Sequence, residues 1–155
     1  MKPKHIAWLT LGLFATVGAI AQVAERASPM AQRQYMEQGD PLPVAVATNG
    51  ISYVCGGVGE REEAAIKSLA PQYDLMLTFA TTKGHYLADV DVEIANGSGR
   101  TVLDAHCDAP IMLVDFPRAG NYQVRASSSG HEVTQQVRVS ERGHRAAVLR
   151  WPDLG

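Results

Sequence analysis

From Tyr73 onward the chain switches to a two-residue rhythm. Tyr73, Leu75, Leu77 and Phe79 alternate with Asp74, Met76 and Thr78, and Ala88, Val90, Val92 and Ile94 alternate with Asp89, Asp91 and Glu93. Successive strand side chains point to opposite faces, so this pattern predicts strands with one face hidden and one face wet. Five further segments follow: Arg100–His106, Ile111–Phe116, Tyr122–Ala126, Val133–Val139 and Ala146–Trp151. The fourth of the seven, Ile111–Phe116, is apolar on both sides, and Gln135 interrupts the apolar row of the sixth. Turn residues punctuate them at Asn96-Gly-Ser-Gly99, Pro117-Arg-Ala-Gly120, Ser127-Ser-Ser-Gly130 and Glu141-Arg-Gly143. Seven short strands at this spacing predict a mostly β fold, a seven-stranded antiparallel Ig-like sandwich. One short helix precedes it over Glu60–Leu69. Glu60, Glu62 and Glu63 sit in its first turn, Ile66 and Leu69 form a narrow apolar side, and Pro71 ends it.

The first fifty residues behave differently. Lys2 and Lys4 precede an apolar run from Ile6 to Ile20, and the small residues Ala19 and Ala21 follow. This is the layout of a secretory signal peptide over residues 1–21, with cleavage expected between Ala21 and Gln22. The apolar run is shorter than the roughly 20 residues a membrane span needs. Contact with a membrane is therefore expected only through the signal before cleavage. Residues 22–49 are rich in Gln, Ala, Pro and charge and predict a flexible leader, with residues 50–155 as the folded domain. Losing the two lysines leaves 12 basic residues against 16 acidic ones, a net charge of −4. That balance, without a clustered basic patch, argues against a nucleic-acid partner.

The segment Tyr86-Leu-Ala-Asp-Val-Asp-Val-Glu-Ile94, the turn at Gly97–Gly99, the strand through Leu103, and Phe116-Pro-Arg-Ala-Gly-Asn-Tyr-Gln-Val124 resemble the carboxypeptidase regulatory-like domain. The best-matched part is the Pro-x-x-Gly-x-Tyr-x-Val turn at Pro117, Gly120, Tyr122 and Val124, with Gly130 at the next turn. The resemblance covers roughly 55 to 70 residues and implies a transthyretin-like seven-stranded sandwich, usually an accessory module without catalytic residues. Asp108-Ala109-Pro110 departs from the aspartate-glycine-aromatic turn of that pattern.

The stretch Tyr53-Val-Cys-Gly-Gly-Val-Gly-Glu-Arg-Glu-Glu63 admits three readings. A phosphate loop would need a Lys and a hydroxyl, but Glu60, Glu62 and Glu63 occupy the place of the anion. A nucleophilic Cys55 would need a base beside it. An exported chain with two cysteines, Cys55 and Cys107, more simply predicts a disulfide between them. Closing that loop of 52 residues is worth roughly 4 kcal/mol. The neighbouring glycines then serve the sharp turn next to the bridge.

Other candidate groups have structural counterparts. Asp89, Asp91 and Glu93, with Asp104 across the turn, offer oxygen ligands for Ca²⁺, or equally a solvated sheet face. His85, His106, His131 and His144 show no metal-ligand spacing. Ser127, Ser128 and Ser129 lack a nucleophile elbow and read as a turn. Trp151 is either an exposed anchor or a core residue beside Leu149 and Ala147. The expectation is an exported, periplasmic or secreted, non-enzymatic module without a cofactor. It would bind an envelope protein or polysaccharide, or act structurally. The alternative is a small exported metal-binding protein or enzyme using Cys55 and nearby histidines.

Overall fold

The computed structural model describes residues 45–153. The expected signal peptide and its Ala21/Gln22 cleavage point lie outside these residues. So does all of the expected leader up to residue 44. The described chain is mostly β, in two sheets with one α-helix. Its strands are β1 (Val46–Thr48), β2 (Ile51–Gly56), β3 (Leu75–Thr81), β4 (Val90–Asn96), β5 (Thr101–Cys107), β6 (Ile111–Asp115), β7 (Gly120–Ser128), β8 (His131–Val139) and β9 (Arg145–Trp151). The helix α1 runs over Gly59–Leu69 and passes into a 3-10 turn at Ala70–Gln72.

One sheet has five strands in the order β1-β2-β6-β3-β9, and the other has four in the order β5-β4-β7-β8. The seven expected strands are β3 to β9. The count among the described residues is nine, because Val46–Thr48 and Ile51–Gly56 add a hairpin ahead of the helix. Their turn is Asn49-Gly50, with φ of 53° and 77°. Two successive residues at positive φ match the right-handed twist of the flanking strands, which is why Asn-Gly marks such hairpins. The strand Val46–Thr48 thus falls inside the stretch expected as leader. A second correction concerns direction. β9 lies parallel to β3, pairing Leu75 with Arg145 and Thr81 with Trp151, so the five-stranded sheet is mixed.

The inward rows of both sheets meet in one core. Leu75, Leu77 and Phe79 of β3, Met112 and Val114 of β6 and Leu149 of β9 lie against Val90, Val92 and Ile94 of β4, Leu103 of β5 and Val124 of β7, all buried. Trp151 belongs to this core, edge-on to Phe79 with ring centroids 6.2 Å apart. Its indole N–H donates to the His131 carbonyl at 2.9 Å, so the polar end of the ring is satisfied inside.

A second cluster lies on the outer face of the five-stranded sheet. Ile66 and Ala70 from the helical segment cover Val54 of β2 and Ile111 and Leu113 of β6. That cover explains why β6 is apolar on both sides: its inner row faces the core and its outer row faces α1. Since β2 and β3 both run antiparallel to β6, α1 carries the chain over β6 to a strand of the same direction. The helix starts without a side-chain cap at Val58, and Glu60 and Glu62 stand in its first turn with Lys67 in its last, in the sense the helix dipole favours. Glu63 pairs with Lys67 one turn on and accepts a hydrogen bond from the Tyr86 hydroxyl at 2.9 Å. The Lys67 ammonium, then the Tyr86 hydroxyl, hold the Glu63 carboxyl below its ordinary range.

Candidate functional site

Each sheet runs between the same two sets of turns, and the chemistry differs between these two ends. At one end, Cys55 near the close of β2 stands beside Met112 of β6, and Cys107 closes β5 opposite Val90 of β4. The two cysteines form a disulfide, with Cα atoms 5.7 Å apart. It joins the five-stranded sheet to the four-stranded one. With both sulfurs bonded, Cys55 has no thiolate to offer as nucleophile or metal ligand. The glycines beside it serve the turn into α1. Gly57 has φ of +101°, and a Cβ there would lie 3.0 Å from Ile111 Cδ1. Positive φ and a wall of side chain together select glycine at this point.

The same end holds a cavity of about 320 Å³ lined by His85, Ser128, Ser129, His131 and Asp153, among others. The residue types suit acyl chemistry, but their commitments are structural. Asp153 accepts hydrogen bonds from the Thr82 hydroxyl at 2.8 Å and the Lys83 amide at 3.0 Å, tying down the β3–β4 loop. Ser129 and Gly130 form a left-handed two-residue turn between Ser128 and His131, with φ of 50° and 80°. Of the three serines expected as a turn, Ser129 lies in the hairpin turn, while Ser127 and Ser128 are the last residues of β7, paired with Glu132 and His131.

The acidic row singled out in β4 lies on the outer face of the four-stranded sheet. Asp91 stands opposite His106 of β5 and bonds its Nδ1 at 2.8 Å, while Asp89 lies 3.7 Å from Nε2. Glu93 meets Arg125 of β7 at 3.3 Å, and the same guanidinium reaches Glu132 of β8 at 3.3 Å. Asp91 and Glu93 are thus engaged by side chains from neighbouring strands. The hydrogen bond that the His106 imidazole makes to Asp91, opposed by desolvation and helped by the charges of Asp91, Asp89 and Asp108, raises that imidazole above its ordinary value. His144 donates from Nδ1 to the Tyr73 carbonyl at 2.9 Å. Among the described residues, no three His, Cys, Asp or Glu side chains converge as a metal ion would require.

The opposite end carries features that the sequence reading missed. Tyr122 of the Pro-x-x-Gly-x-Tyr-x-Val turn donates its hydroxyl to the Arg118 carbonyl, four residues back, at 2.8 Å, and its ring lies 4.3 Å from that of Phe116. Burial raises the phenol above its ordinary value against the opposing charge of Arg118. Asp74 accepts the Phe116 amide at 2.9 Å, and its own carbonyl accepts the Arg145 amide at 2.8 Å. The neighbouring Asp115 carboxyl is pushed up, first by burial and then by the charge and hydrogen bond of Asp74. No spacing in the sequence marks Asp74 and Asp115 as a pair, because 41 residues separate them and only the antiparallel pairing of β3 with β6 brings them together. Between the β1–β2, β4–β5 and β6–β7 turns lies a cavity of about 340 Å³, bordered by Asn49, Asn96, Arg100 and Arg118.

Comparison with known proteins finds no matching family model, no matching curated protein and no matching solved structure.

Proposed function

We propose that this chain is an exported, non-enzymatic β-sandwich module of the transthyretin-like kind, which binds a protein or polysaccharide of the cell envelope. The reading rests on the Cys55–Cys107 bond between the two sheets. Disulfides of this structural type form and persist in oxidising compartments such as the periplasm or the extracellular space. The basic and apolar pattern of residues 1–21 supplies the route there, and no helix among the described residues is long and apolar enough to cross a membrane. The sandwich assignment draws on the single core shared by the two sheets and on the tie from the Tyr122 hydroxyl to the Arg118 carbonyl. A tyrosine fastened to backbone a few residues upstream recurs at the corners of β-sandwiches. The rival enzyme or metal-binding reading asked for a free Cys55, and the bridge removes that group.

Expression of the full chain in a bacterium, followed by fractionation and mass spectrometry without reduction, tests the proposal. The expected product lies outside the cytoplasm, begins at Gln22 and contains no alkylatable thiol. A cytoplasmic chain with two free thiols and an intact N-terminus overturns it.

A further inference from the structure

The cavity at the end remote from the disulfide has a one-sided polar lining. Arg100 and Arg118 border it, no Asp or Glu does, and neither arginine makes an ion pair among the described residues. Elsewhere on the body, Lys67 and Arg125 are matched with carboxylates, whereas Lys83, Arg138, Arg142, Arg145 and Arg150 likewise show no ion pair among the described residues. What sets this opening apart is two guanidinium groups at one cavity without a bordering carboxylate. Arg118 also borders a neighbouring recess with Asp74 and Glu141, without an ion pair to either. Two unmatched guanidinium groups are therefore kept at one opening of a chain whose net charge is −2.

Of the remaining polar groups, the Asn49 side-chain amide donates to the Val102 carbonyl at 3.5 Å, and Asn96 adds a donor. The Asn96 carboxamide oxygen is consumed, accepting from the Ser98 amide at 3.1 Å, the Ser98 hydroxyl at 2.7 Å and the Arg100 amide at 3.0 Å. Its NH₂ group stays available. Tyr122 has its hydroxyl proton committed to the Arg118 carbonyl. The lining thus pairs fixed positive charge with N–H donors. Val102 and Pro117 supply apolar wall. The volume of about 340 Å³ is at the lower end of ligand pockets, which combine apolar walls with a few placed polar groups. Guanidinium groups recognise carboxylate and phosphate oxygens through two parallel hydrogen bonds, an arrangement an ammonium cannot copy.

We infer that the cavity framed by Asn49, Asn96, Arg100 and Arg118 binds a small organic oxyanion: a carboxylate or phosphate on a body about the size of one sugar. The inference deepens the binding role proposed above and rests on it. It assigns the ligand-bearing end to the turns around Asn49, Gly97–Gly99 and Pro117, and leaves the disulfide end structural.

The test is a titration of the exported, oxidised chain with glucuronate, glucose 6-phosphate, glucose and tetragalacturonate, followed by calorimetry and by amide NMR shifts. At least one of the two monomeric anions binds saturably, moving the Asn49, Arg100 and Arg118 amides, while glucose does not. Arg100→Gln and Arg118→Gln each weaken that binding about tenfold or more, and Arg125→Gln, on the four-stranded sheet, leaves it unchanged. Circular dichroism of each variant separates lost binding from lost fold. Tighter binding of tetragalacturonate than of the monomer assigns the anion to an acidic glycan, and equal binding assigns it to a free small molecule. Glucose binding as well as the anions, no saturable anion binding, or arginine variants that are folded and bind normally overturn the inference. Such a failure in a chain that is exported and bridged removes this site alone, whereas a reduced cytoplasmic chain removes the reading beneath it.

Discussion

The two sheets expose opposite kinds of outer face. On the five-stranded sheet, Val54, Ile111 and Leu113 lie under α1, and Ile66 of the helix is fully buried against them. On the four-stranded sheet the outward row is Asp91, Glu93, His106, Arg125 and Glu132, held in ion pairs that stand in water. The inner faces are alike, since both contribute to one apolar core. The difference shows that hydrophobicity in a strand reports how many of its faces are covered. β6 is buried at four successive positions because two layers cover it, while β4 alternates because only one does. Exposed ion pairs such as those of Arg125 are each worth about 0–1 kcal/mol, so the wet face contributes solubility and register more than stability.

The largest expected effect comes from the link between the sheets. Replacing Cys55 and Cys107 together by serine removes the cross-link over a 52-residue separation, and unfolding by urea should show a loss of roughly 4 kcal/mol. A loss below about 1 kcal/mol, judged against the usual range for native bridges, means that core packing alone holds the two sheets together.

A middle-sized effect separates the two outer faces. Ile66→Ala opens a cavity under α1 and is expected to cost about 2–5 kcal/mol, whereas Thr134→Ala on the exposed face of β8 stays within about 0.5 kcal/mol. Equal effects at the two positions sink the contrast.

The smallest effect concerns His106 on the wet face. Its folded value is raised, so the protonated form is favoured by folding. The stability it adds is complete below the ordinary value of 6.5 and is lost as pH rises through the folded value. Melting temperature should therefore fall as pH rises above the ordinary imidazole value of 6.5, and His106→Gln should flatten that slope. The groups facing the imidazole are Asp91, Asp89 and Asp108. A slope unchanged in the variant assigns the pH dependence to another group.

Much of this body was legible before any coordinates. The alternation of Leu75, Leu77 and Phe79 and of Val90, Val92 and Ile94 marks β3 and β4, and the helix falls within one residue of its expected start at Glu60. The pairing of Cys55 with Cys107 followed from their number and the expected compartment. The hairpin of β1 and β2 escaped, although Asn49-Gly50 between Val46–Thr48 and Ile51–Gly56 is a strong local signal. The arginines of the candidate cavity could not be found in this way. Arg100 and Arg118 belong to separate turns, and only the packing of one sheet on the other brings them to one opening.

The sequence by itself determined where strands, turns and helix lie, because the two-residue rhythm, the Gly and Pro stops and the helix-end charges act between near neighbours. Tertiary structure alone decided that β9 joins β3 in parallel, that α1 covers β6, and that two arginines share a cavity bordered by no carboxylate. Those outcomes depend on which faces and edges meet after the chain collapses. Burial energy is nearly indifferent to the order of residues along the chain, so no local pattern encodes it.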